Sequence, residues 1–170
     1  MIQKIKASKS EKIIFFFLIS LAIFSLSSFF LIKNKCLFVK NYNPEKLSFN
    51  KPNNIAILNV ECGNVIIELY PNISPNAVER FKTLVRSKAY DDVAFHRVIK
   101  DSLVQAGDLE FGKKGNIDYG KIGTGQSGLG TINSEIDIPF NYVRGSVGLA
   151  RTQKYNTEDS QFFITLKDEP

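Results

Sequence analysis

The chain has 170 residues, room for one domain of ordinary size with an appendage. Apolar residues make up 44% and charged residues 23%, which excludes a wholly disordered or collagen-like chain. The net charge of +5 divides unevenly: residues 1–40 hold seven Lys against one Glu, and residues 41–170 hold 15 Lys and Arg against 16 Asp and Glu. The basicity is confined to the N-terminus, so the body lacks the clustered Lys and Arg of a nucleic-acid-binding face.

Residues 13–32 form a run of twenty without a charge, rich in Phe, Leu and Ile. At about 1.5 Å per helical residue such a run spans roughly 30 Å, the hydrocarbon thickness of a bilayer. Lys4, Lys6, Lys9 and Lys12 precede it and Lys33, Lys35 and Lys40 follow; this mild bias favours a cytoplasmic N-terminus and an exported body. A cleaved signal peptide is the rival, but its apolar core runs about 7–15 residues and ends at small residues. Here the run is longer and ends Phe29-Phe30-Leu31-Ile32-Lys33, so an uncleaved anchor is expected. Residues 1–12 are then a basic cytoplasmic N-terminus and 13–32 a transmembrane anchor. Residues 33–53, with Asn41, Asn43, Pro44, Asn50, Pro52 and Asn53, read as a tether. Cys36 lies in that tether and Cys62 in a later turn; two free thiols are favoured, with a disulfide open if the body is exported. A single histidine with two cysteines excludes a Cys/His zinc site.

The folded part is expected from residue 54 onward. Residues 55–60 and 65–70 are β-rich runs around Glu61-Cys62-Gly63-Asn64, which predicts a hairpin. Ser74-Pro75 supplies an N-cap and a first-turn proline. Ala77, Val78, Phe81, Leu84 and Val85 then recur with helical spacing, the stripe of a helix covering a core. Residues 93–99 and 103–106 read as strands. The stretch 107–130 holds eight of the eleven glycines and reads as a long loop, and 143–150 and 161–166 read as two further strands. One helix among many short strands predicts a mainly β domain, a barrel or a sandwich.

Three features bear on chemistry. Gly123-Thr124-Gly125-Gln126-Ser127-Gly128 is a formal G-x-G-x-x-G match, but neither a hydrophobic strand before it nor a helix after it is expected, so it reads as a mobile surface loop and no nucleotide is expected. His96 is the sole histidine, and no Gly-x-Ser-x-Gly elbow accompanies it; a structural, hydrogen-bonded role is favoured. Arg97 is a strand arginine among apolar neighbours. With Gln105 and the cluster Gln161-Phe162-Phe163 it would line a groove that is half polar and half aromatic. Residue types alone reach a peptide- or ligand-binding β domain and no reaction.

The segment Phe95-His96-Arg97-Val98-Ile99-Lys100-Asp101-Ser102-Leu103-Val104-Gln105-Ala106-Gly107-Asp108 resembles the cyclophilin signature F-H-R-V-I-x-G-F-M-x-Q-G-G-D. Gly145-Ser146-Val147-Gly148-Leu149-Ala150-Arg151-Thr152 is similar to the G-x-L-x-M-A-R-T block of bacterial cyclophilins, and Ser160-Gln161-Phe162-Phe163-Ile164 to their S-Q-F-F-I. The resemblance covers about residues 54–170. It implies a cyclophilin-like antiparallel β-barrel, eight-stranded in the family, and peptidyl-prolyl cis-trans isomerase activity on proline-containing segments of unfolded polypeptides, with no cofactor. Arg97 would be the catalytic arginine. Gln105 and Gln161 would hold the peptide backbone, Leu103 and Phe163 would help form the proline pocket, and Ala150, Arg151 and Thr152 would line the adjoining groove. Ser102 stands where the family usually has a pocket phenylalanine, so the pocket is expected to lack a wall. Family members continue beyond the position of Pro170, and the barrel is expected to lack its C-terminal part, with one helix instead of two. The leading expectation is a membrane-anchored isomerase assisting folding of exported proteins; the alternative is a non-catalytic peptide-binding or chaperone-like module.

Overall fold

The structure, a computed structural model, describes residues 8–33, 36, 39–40, 42–136 and 141–168. Most of the basic N-terminus, with Lys4 and Lys6, lies outside the described residues, as do Lys35 and Asn41 of the tether. By contacts the chain forms two compact units, Met1–Ser48 with Ile57–Ile66, and Phe49–Ala56 with Ile67–Pro170.

In the first unit, helix α1 (Lys9–Lys33) begins at a reciprocal cap. The Ser8 hydroxyl accepts from Glu11 N at 3.2 Å, and the Glu11 carboxylate accepts from Ser8 N at 2.7 Å. This is the S-x-x-E box, which satisfies two of the donors that a helix start leaves over. No residue of α1 is buried, and the helix is long and apolar enough to cross a membrane. Cys36 is bonded to Cys62 across 26 residues. This corrects the expectation of free thiols. The fold places the two Cα atoms 4.9 Å apart, within the range a bridge requires, a proximity that spacing along the sequence does not reveal.

Strands β1 (Ile55–Val60) and β2 (Gly63–Glu68) form a two-stranded sheet joined by the Glu61-Cys62 turn. In the second unit, helix α2 (Pro75–Arg86) buries Val78, Phe81 and Leu84, leaving Val85 exposed. Its N-terminus is not capped by the Ser74 side chain. Glu135 accepts from Asn76 N at 2.8 Å and Ala77 N at 3.0 Å, placing a carboxylate where the helix dipole favours one. The remaining strands β3 (Arg97–Ile99), β4 (Leu103–Ala106), β5 (Val147–Leu149) and β6 (Phe162–Thr165) form one antiparallel sheet in the order β3-β4-β6-β5. The core is an aromatic triangle in which Phe81, Tyr90 and Phe162 have ring centroids 5.2 to 5.6 Å apart. Burial raises the Tyr90 phenol above its ordinary range, and the hydroxyl donates to Ser160 O at 2.7 Å.

The expectation of a mainly β fold is met in part: the six short strands outweigh the one helix of the body, but with α1 the described residues mix helices of 25 and 12 residues with strands. Among the described residues the sheets hold two and four strands and close no barrel, in keeping with the incomplete barrel expected. Expected strands 93–99 and 143–150 shorten because turns and loop pairings use their ends. Ala94 N donates to Gly112 O at 2.9 Å, and Ser146 N to Val143 O at 3.0 Å, which turns the chain before β5 begins.

Candidate active site

The register fixes the site. Arg97 on β3 stands opposite Gln105 on β4, Gln105 opposite Phe163 on β6, and Phe163 opposite Gly148 on β5. Opposed residues of adjacent strands share a face, so these four positions make one row across the sheet. Leu103, two residues from Gln105, joins the same face by the period of two. Phe162 and Leu149, the next opposed pair, turn to the other face, and Phe162 is buried there in the aromatic core.

The polar end of the row is a directional chain. Gln161 donates from Nε2 to Gly123 O and to Gly125 O, both at 3.0 Å. Carbonyls only accept, so this pair settles the orientation of the amide and turns its Oε1 toward Gln105. Gln105 Nε2 donates to that oxygen at 2.9 Å, and its own Oε1 accepts from Arg97 Nη1 at 3.2 Å. The glycine loop thereby sets the polarity of every link up to the guanidinium. Both ring nitrogens of His96 are buried without a hydrogen-bond partner among the described residues. The expected hydrogen-bonded histidine is corrected in that respect: the ring packs near Gly123, where a Cβ would stand 3.5 Å from His96 Cδ2.

The glycine loop lies largely at the surface, as the composition predicts, but it is tied to the body at defined points. Asp108, fully buried, accepts from Glu110 N and Phe111 N through Oδ1 and from Gly123 N and Gly125 N through Oδ2, at 2.6 to 3.2 Å. Burial alone would raise its pKa, but the four backbone donors outweigh it and hold the carboxyl below its ordinary value. Gly125 is glycine because a Cβ there would run into the Asp108 carboxylate. At its other end the loop is pinned to α2: Arg80 pairs with the buried Asp159 and donates to Gly130 O at 2.7 Å. Asp108 was not singled out by sequence reasoning. The signal was present, since an aspartate that ends a strand before a glycine-rich run is suited to gathering free backbone N–H groups.

Arg97, Leu103, Gln105, Ala150, Arg151, Thr152 and Phe163 line one cavity of about 800 Å³ in the second unit. Gln161 stands behind Gln105, outside that lining. Ser102 is outside it as well; it is part-buried in the β3–β4 turn, with its carbonyl accepting from Leu166 N at 2.6 Å. Arg151 is turned into its own loop, donating to Thr152 O at 3.0 Å with its guanidinium 4.8 Å from the Tyr155 ring centre. Among the described residues no cluster of three His, Cys, Asp or Glu side chains suits a metal. Residues from both faces of the sheet line the cavity, Phe162 and Leu149 with Phe163 and Gly148, where β5 ends the strand order.

The four-stranded sheet thus carries an arginine-glutamine row beside a largely apolar cavity. The model of the family described as cyclophilin type peptidyl-prolyl cis-trans isomerase matches residues 55–170, and the chain belongs to that family. A Brucella suis relative bearing the name peptidyl-prolyl cis-trans isomerase is 45% identical over 122 residues, 70% of this chain and 61% of the relative. The chain thus spans about three fifths of the length of that relative. A Cryptosporidium parvum cyclophilin crystallised in the presence of the dipeptide Ala-Pro is 30% identical with a TM-score of 0.54, covering 64% of this chain and 65% of that one. A Hirschia baltica cyclophilin shares the fold at a TM-score of 0.56 and 20% identity, covering 76% of this chain and 66% of that one.

Proposed function

We propose that this chain is a peptidyl-prolyl cis-trans isomerase that acts on proline-containing segments of exported, unfolded polypeptides while anchored in a membrane by α1. The observation that carries the reading is the polarised chain from the glycine loop through Gln161 and Gln105 to Arg97, set beside an apolar cavity. Rotation about an X–Pro bond is slow because amide resonance imposes a barrier of about 18–20 kcal/mol. Arg97 donates a hydrogen bond to the prolyl nitrogen, whose lone pair becomes available only as the amide twists; that contact is stronger in the transition state than in either planar isomer. Gln105 holds the guanidinium and the peptide backbone, and Leu103 and Phe163 receive the prolyl ring. A rate gain near 10⁵ requires about 7 kcal/mol of such selective binding. The Cys36–Cys62 bridge supports an oxidising compartment for the body, and the charge flanking α1 supports the same orientation.

A second reading, a peptide-binding module without catalysis, is favoured by the continuity of the cavity with the apolar core. One assay separates them. In the full chain, Arg97→Ala is expected to lower isomerisation of an Ala-Pro-containing peptide by at least about a hundredfold while peptide binding persists. Arg97→Lys is expected to be poor as well, since an ammonium lacks the planar fork. Unaltered turnover in Arg97→Ala, or its absence in the unsubstituted chain, overturns the catalytic reading.

A further inference from the structure

The polar end of the row is accounted for by hydrogen bonds; its far end is not. There Phe163 stands opposite Gly148, and the absence of a Cβ lets the ring lie over β5. A Cβ built on Gly148 would sit 2.8 Å from Phe163 Cζ and 3.4 Å from the Tyr142 hydroxyl oxygen. Both side chains therefore share the space above this one glycine. Their ring centroids are 5.4 Å apart with planes inclined at 56°, a tilted aromatic pair of the kind that packs favourably. Tyr142 also lines the cavity, yet 40% of it stays exposed.

We propose that Tyr142 is a specificity-determining residue, the aromatic wall against which a prolyl ring packs beside Phe163; the inference rests on the isomerase reading above. The pyrrolidine of proline is a compact, preformed apolar ring, and aromatic-lined grooves are a general way to take proline-containing peptides. Leu103 supplies aliphatic surface from β4, while Tyr142 and Phe163 form one bent aromatic surface. Ser102, outside the cavity, contributes no part of this wall. The proposed contact is made by the ring face of Tyr142, which Tyr142→Phe keeps.

The test uses the full chain in detergent micelles, with the dipeptide Ala-Pro titrated by NMR and isomerisation of a proline tetrapeptide followed by exchange. Tyr142→Ala is expected to weaken Ala-Pro binding about fivefold to tenfold, the scale of one lost aromatic contact, with KM raised more than kcat is lowered. Tyr142→Phe is expected to bind within about twofold of the unsubstituted chain. Unchanged affinity in Tyr142→Ala, or a loss in Tyr142→Phe equal to that in Tyr142→Ala, overturns the wall. Should Tyr142→Ala lose its cooperative melt, Tyr142→Leu keeps the apolar bulk without the π face; about threefold weaker binding supports the proposal and unchanged binding overturns it. Binding of Ala-Pro that depends on Tyr142 but comes without turnover overturns the isomerase reading and leaves the wall standing. Turnover with binding independent of Tyr142 overturns the wall alone, and a chain that takes no Ala-Pro overturns both.

Discussion

The two ends of the row across β3, β4, β6 and β5 are built on different physics. At the Arg97 end every position is held by a directed hydrogen bond, and the direction is imposed from outside the sheet by the carbonyls of Gly123 and Gly125. At the Tyr142 end the contacts are apolar, and what matters is the room left by Gly148. A hydrogen-bond chain has one correct sense and fails when a link is reversed, whereas an aromatic surface tolerates small displacements. Substitutions at the polar end should accordingly cost activity steeply, and those at the apolar end should cost affinity gradually.

Short of removing Arg97 itself, the largest effect is expected from Gln161→Glu. A carboxylate has no hydrogen to give the two loop carbonyls and turns a negatively charged oxygen toward them, which opposes the link as well as breaking it. A fall in kcat/KM of about 10- to 100-fold is expected, with Gln161→Ala less impaired because it removes the link without opposing the carbonyls. Equal damage from Ala and Glu, measured with the same proline peptide, would show that the sense of the chain is unimportant.

Next in size is Asp108→Asn. One oxygen can still serve one pair of backbone donors, but the amide NH₂ then faces the other pair, and a loss of about 2–4 kcal/mol of stability is expected. The acid limb sharpens this. The folded-state pKa of Asp108 is held below its ordinary value of 3.8. Its contribution is therefore complete above that value and fades as pH falls through the lower folded-state pKa. Thermal melts from pH 6 downward should show the Asn variant losing this part of the acid slope; parallel slopes in the two proteins would remove Asp108 from the account.

The smallest effect belongs to the apolar end. Gly148→Ala must push the Phe163 ring aside, since a Cβ would lie 2.8 Å from its tip, but that tip is the free end of a side chain. KM for the proline peptide is expected to rise about threefold, in the range of a partly lost aromatic contact, with the melting temperature nearly unmoved. A KM change larger than that of Gln161→Glu would reverse the ranking of the two ends.

Local pattern carried much of this molecule. The hairpin, the apolar stripe of α2, and strands β4 and β6 follow from residue order, and the blocks around Arg97, Gln105 and Phe163 placed them in one groove. What the pattern did not carry is long-range. Glu135 caps α2 from 59 residues away, Cys62 meets Cys36, and Gln161 spends its donors on a loop 36 residues earlier in the chain. Asp108 was hidden for a related reason: its partners are backbone N–H groups, which leave no trace in residue type beyond the glycines that make room for it. Tyr142 was hidden because its role depends on a missing atom at Gly148.

The Cys36–Cys62 bridge also changes how far the hairpin turn can wander from the end of α1. Along the main chain, Lys33 and Cys62 are separated by 29 residues; through the bridge the path is three residues and a disulfide. The longer path runs through the whole of β1, so the bridge is the shorter covalent route between the helix end and the turn. In an oxidising space the protein is on a short leash, and a reductant would lengthen it without cutting the chain.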